Sequence, residues 1–111
     1  MEYMLFMATD PEAEPYSPEG DTIKEWVADV DARGIHVHGH RLRPVEDAKT
    51  VRVRDGKLLV TDGPYIEAKE WIAGYDILDC ANLDEAIDVA SKHPMARFGK
   101  IELRAAWPLD L

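Results

Sequence analysis

Three histidines recur at every second residue in the run Ile35-His36-Val37-His38-Gly39-His40. If that run is an extended strand, its period of two places all three imidazoles on one face and Ile35 with Val37 on the other. Two histidines so spaced can share one metal ion, because their side chains emerge side by side. His36 and His40 would stand about 13 Å apart at strand rise, so the three cannot easily serve one ion. A third ligand would have to come from Asp62, Glu67 or a partner chain. The reading preferred over a metal site is ring packing and hydrogen bonding at an interface between two copies, with no resident metal or other cofactor. Asp62 is the acid–base candidate by position. It ends an apolar run and enters Gly63-Pro64, a place where a carboxylate is held at a cleft mouth. The same carboxylate could instead accept backbone N–H bonds and fix the turn. No Gly-rich phosphate loop, nucleophile elbow or zincin pattern is present. Cys80 lies in a strand-like run without a basic neighbour, which argues against a nucleophilic thiol.

The elements that must carry these residues follow from periodicity. Tyr3 to Ala8 is a continuous apolar run, the pattern of a strand covered on both faces. Ile23, Trp26, Val27 and Val30 repeat at helical spacing, with Ser17 or Thr22 as alternative caps and Gly34 at the C-terminal end. Ile35 to Leu42 alternates as a strand that Pro44 closes. Thr50 to Arg54 and Lys57 to Thr61 flank Asp55-Gly56, a two-residue hairpin signal. That turn sets Val53 opposite Leu58 and Val51 opposite Val60 on one apolar face, with Arg52, Arg54, Lys57 and Leu59 on the other. Glu67 to Ala73 reads as a short irregular or helical turn, and Tyr75 to Ala81 as a strand. Asn82 caps a second helix carrying Leu83, Ala86, Ile87 and Ala90 as its stripe, which stops before Pro94. A last strand runs from about Lys100 to Trp107.

The predicted fold class is therefore α+β, a ferredoxin-like sandwich with an inserted β-hairpin. Two helices cannot cover both faces of such a sheet, and an uncovered, partly apolar face calls for a homodimer. The expected polar face carries His36, His38, His40, Arg52 and Lys57, a cationic surface that wants carboxylates or a bound anion. Trp26 and Trp71 are expected in the core or an interface. His93, beside Pro94, is expected to be a cation at a helix C-terminus.

Composition bounds the function. The chain has 111 residues, 46% of them apolar and 32% charged, as in a single globular domain spanning 1–111. Its 22 acidic and 13 basic residues give a net charge of −9, which repels phosphate backbones and excludes direct nucleic-acid binding. One cysteine allows no intrachain disulfide and fits a reducing compartment. No leader-like basic segment or membrane-length apolar run is present, so a cytoplasmic location is expected.

The segment Val60 to Tyr75 reads VTDGPYIEAKEWIAGY. Its block Asp62-Gly63-Pro64-Tyr65, followed by Glu67, Lys69, Glu70, Gly74 and Tyr75, resembles the DGPF subgroup of the YCII-related family, with Tyr65 in place of the usual Phe. The resemblance extends from the first strand to Ile101-Glu102-Leu103-Arg104 and implies a dimeric α+β barrel in which two sheets face each other. Similar chains usually have aliphatic, Gly or Glu residues along the strand that carries the histidines here. YCII-related proteins have been suggested to be enzymes with a His–Asp pair, which would join Asp62 to His36 or His38. The remaining candidates for ligand binding are His40, Arg52, Tyr65, Glu67 and Lys69. Two functions follow as expectations. One is a cofactor-free enzyme, or binder, of a small organic anion in a His/Arg/Asp cleft. The other is a non-enzymatic regulatory partner of an extracytoplasmic-function sigma factor, as the DGPF resemblance implies.

Overall fold

A computed structural model describes residues 1–64 and 70–110. The elements run β1 (Glu2–Ala8), α1 (Ile23–Ala32), β2 (His36–Arg41), β3 (Lys49–Arg54), β4 (Lys57–Asp62), β5 (Ile72–Asp79), α2 (Leu83–Ser91), α3 (Met95–Phe98) and β6 (Lys100–Ala105). Four strands form an antiparallel sheet in the order β2-β5-β1-β6, while β3 and β4 pair only with each other. The fold is α+β, and the strand order is compatible with a ferredoxin-like unit.

The core lies between one face of the four-stranded sheet and the helices. Tyr3, Leu5 and Met7 of β1 are buried together with Leu78, Trp26, Val30, Ala86, Val89 and Ala90. The small side chains of Ala86 and Ala90 let α2 approach the sheet closely. Trp26 donates its indole N–H to the Val89 carbonyl at 2.9 Å, satisfying the polar atom that a buried tryptophan brings with it. The expectation that β1 is covered on both faces is corrected. Met4, Phe6 and Ala8 on its other face are only half-buried, because no helix among the described residues lies over that side.

The helices form for the reasons their sequences suggest, with shifts in detail. Asn82 accepts the Glu85 N–H at 2.9 Å, and Glu85 in turn accepts the Ala81 N–H at 3.1 Å, so two otherwise orphaned donors are satisfied. The buried stripe of α2 is Ala86, Val89 and Ala90, not the predicted Leu83–Ala86–Ile87–Ala90, and Leu83 and Ile87 are exposed. Thr22 makes no side-chain cap at α1. Asp21 accepts the Ile23 N–H instead, while Ser17 caps a short 3-10 turn at Pro18–Gly20. β5 begins at Ile72, three residues ahead of the predicted Tyr75.

Asp55 and Gly56 both have positive φ, 53° and 72°, the conformation of a two-residue turn whose twist matches its strands. The ladder pairs Val53 with Leu58, Val51 with Val60 and Arg52 with Leu59, as the turn dictates. This ribbon stands away from the body. Val51, Val53, Leu58 and Val60 are between 55% and 67% exposed. The molecule measures 48 × 42 × 19 Å, with a radius of gyration of 16.1 Å, against roughly 13 Å for a compact chain of this length.

Candidate functional site

The three histidines do not share a face. The β2–β5 register shifts between His36 and His38, a bulge at Val37 that inserts one residue and reverses the alternation beyond it. His36 therefore lies opposite Leu78 on the helix-covered side, while His38 and His40 lie opposite Ile77 and Tyr75 on the uncovered side. Val37, predicted to pack inward, is 51% exposed.

His36 meets a carboxylate, but not the one the sequence suggests. Its Nε2 lies 2.8 Å from Asp76 Oδ1, and its Nδ1 lies 3.3 Å from Asp31 Oδ1. Asp76 sits in the middle of β5 with its side chain only 15% exposed. Burial raises its pKa, and the hydrogen bond and charge of His36 oppose that rise. Gly39 makes room for the pair: a Cβ there would stand 2.0 Å from Asp76 Oδ1 and 2.8 Å from the Tyr75 carbonyl oxygen. With carboxylates at both ring nitrogens, His36 has no lone pair directed at a substrate. It ties the end of α1 to β5 through β2. Asp76 was legible as an acidic residue inside a strand, where a buried charge must have a partner.

Asp62 lies on the ribbon, 87% exposed and ion-paired with Lys49. It bonds neither His36 nor His38, so the expected Asp62–histidine pair is replaced by His36–Asp76. Gly63 follows at φ 88°, a left-handed conformation that a residue with a Cβ resists. Its N–H donates to the Ala48 carbonyl at 2.7 Å, and its own carbonyl accepts the Thr50 hydroxyl at 2.8 Å. Gly63 thus closes the base of the hairpin through its backbone, whereas the Asp62 carboxylate binds Lys49 and not the backbone N–H groups expected of it.

That closure forms one wall of an open groove of about 920 Å³. Leu42, Val51, Pro64, Trp71 and Ile72 give it an apolar lining, and Arg43, Lys49, Arg52 and Arg54 bring positive charge to it on an otherwise acidic protein. Arg43 is paired with Asp47, and Lys49 with Asp62. Glu70, also at the groove, is held by Lys100 at 2.6 Å. Arg52 is half-buried and has no hydrogen bond or ion pair among the described residues. It does not share a sheet with the histidines, as had been expected, because β3 belongs to the separate ribbon. Trp71 lines the groove at 39% exposure, at its edge and not in the core. Tyr65, Glu67 and Lys69 lie outside the described residues, but Pro64 and Glu70 on either side of that segment both line the groove.

Two further groups are inert. His93 is 6% exposed; its Nδ1 accepts the Met95 N–H at 2.9 Å and its ring packs edge-on against Trp26. Burial pushes its pKa down to about 4, so it is neutral at pH 7 and not the helix-end cation expected. Cys80 is buried, and burial raises its thiol pKa, which disfavours the reactive thiolate.

The sequence matches the YCII-related domain over residues 1–110. The chain belongs to the YCII-related family. An uncharacterized protein of Rhizobium meliloti strain 1021 is 48% identical over 50 residues, which is 45% of this chain and 40% of that protein. The match spans well under two thirds of the relative's length, and the name it carries assigns no activity. Among the described residues of this YCII-related chain, no helix is long and apolar enough to cross a membrane.

Proposed function

We propose that this YCII-related protein is a homodimer that binds a small organic anion in the groove between the β3–β4 ribbon and the start of β5. The observation that carries the reading is Arg52, a half-buried arginine in an apolar-lined groove where the carboxylates among the described residues, Asp47 and Glu70, are already paired. A cation with no partner among the described residues favours a bound anion in such surroundings, and a planar guanidinium suits a carboxylate by two parallel N–H···O bonds. The apolar lining favours a ligand with a hydrocarbon body. Neither Asp62 nor any of His36, His38 and His40 lines this groove, so the reading is binding, with turnover left to a positive assay. The homodimer is supported by the exposed apolar face of the ribbon and by the uncovered face of the four-stranded sheet. It would give the dimeric barrel that the family resemblance implies, with the β3–β4 hairpin inserted in it.

The test is a thermal-shift panel of small mono- and dicarboxylates and inorganic phosphate, run on untagged wild type and on Arg52→Ala. Stabilisation of the wild type by at least one carboxylate, absent from the variant, is the expected result. A panel that stabilises neither protein, or both equally, overturns the assignment. Pairing with a sigma factor draws support only from the net charge of −9, which would attract a basic protein surface.

A further inference from the structure

The bulge at Val37 leaves His38 and His40 together on the uncovered face of the sheet, separated from His36 and its carboxylates. Their ring centroids are 4.8 Å apart, with the planes at 83°. The Tyr75 ring stands alongside, 5.6 Å from His38 and 6.3 Å from His40, which limits how far either imidazole can rotate away. Neither ring has a hydrogen-bond partner among the described residues, and both histidines are exposed. The two imidazoles thus stand side by side on a paired strand, close enough for one ion to bridge them.

We propose that His38 and His40 together bind a divalent first-row transition metal of the nickel, copper or zinc type. A metal about 2.1 Å from a ring nitrogen lies about 3.2 Å from that ring's centroid, so two imidazoles meeting one ion at about 90–110° have centroids about 4.5–5.2 Å apart. The observed 4.8 Å falls inside that interval. No third His, Cys, Asp or Glu joins the pair among the described residues. Asp62, the additional ligand the sequence offered, is paired with Lys49 on the separate ribbon. The site is therefore an open one, with the remaining coordination positions taken by water or an added ligand. Imidazole nitrogen selects borderline transition metals over magnesium and calcium, which prefer oxygen. The site is separate from the Arg52 groove, but it lies on the sheet face proposed above to meet a second copy, which can supply further ligands.

The experiment is isothermal titration of the untagged, chelator-stripped full chain with nickel(II), with magnesium(II) as the hard-cation control. The wild type is expected to take up one nickel per chain and no magnesium. His38→Ala and His40→Ala should each lose that uptake, while His36→Gln retains it. One nickel per two chains, still lost with either substitution, would support the pair as ligands and place the rest of the set on a second copy. No uptake by the wild type, or uptake that survives His38→Ala or His40→Ala, overturns the proposal. Circular dichroism of each variant separates loss of a ligand from loss of the fold.

Discussion

Acid should destabilise this protein through His93 in particular. The ring is 6% exposed, and burial lowers its pKa from 6.5 to about 4. Between those values the unfolded chain binds a proton that the folded chain refuses, so stability rises with pH across that window and is lost as pH falls. The His93 contribution works out to a loss of about 2 kcal/mol on going from about pH 7.5 to pH 5, and about 3 kcal/mol below pH 4. Asp76 acts in the opposite sense at the acidic end, since its raised pKa lets the folded state hold a proton that the unfolded state has released. Comparing wild type with His93→Gln cancels that contribution, because Asp76 is common to both. Glutamine can still accept the Met95 N–H, but it does not titrate. Urea unfolding at a series of pH values should show the wild type losing about 2 kcal/mol more than His93→Gln between neutrality and pH 5. Parallel curves for the two proteins would refute the assignment of His93 as a buried neutral imidazole.

Other substitutions test the remaining supports. Gly39→Ala would place a methyl group 2.0 Å from Asp76 Oδ1 and against the backbone of β5. It should cost about 1–3 kcal/mol in chemical denaturation, and an unchanged midpoint would contradict the close packing described. Val53→Lys combined with Leu58→Lys puts two like charges directly opposite each other on the apolar face of the ribbon. Light scattering should find a dimer for the wild type and a monomer for this variant; a monomeric wild type would remove the dimer from the account.

Local signals in the chain were read well where one residue decides the geometry. Asp55-Gly56 dictated the hairpin register, and Asn82 dictated the start of α2, because each acts through its own backbone or its nearest turn. Period two misplaces the histidines because it assumes an unbroken ladder. A single unpaired residue at Val37 moved His38 and His40 to the opposite side from His36, and nothing in Ile35-His36-Val37-His38 marks that insertion. The error then spread, since the expected site combined His36 with residues of another sheet. Arg52 stands out in the sequence as a binding candidate, but the groove around it depends on where the ribbon base and the start of β5 come to lie. The groove gathers Leu42 and Lys49 with Trp71 and Ile72, residues too far apart in the chain for periodicity to relate them. Ala86 and Ala90 of the α2 stripe are buried as expected, but Leu83 and Ile87 are exposed and Val89 takes their place.

The central claim is that Arg52 anchors an anion in the groove. Calorimetric titration of the best carboxylate from the panel into wild type and Arg52→Ala, at low and at moderate salt, tests it most directly. The account predicts saturable binding to the wild type that weakens as salt screens the charge and disappears in Arg52→Ala. Equal binding to both proteins would contradict it and place the anion elsewhere on the molecule.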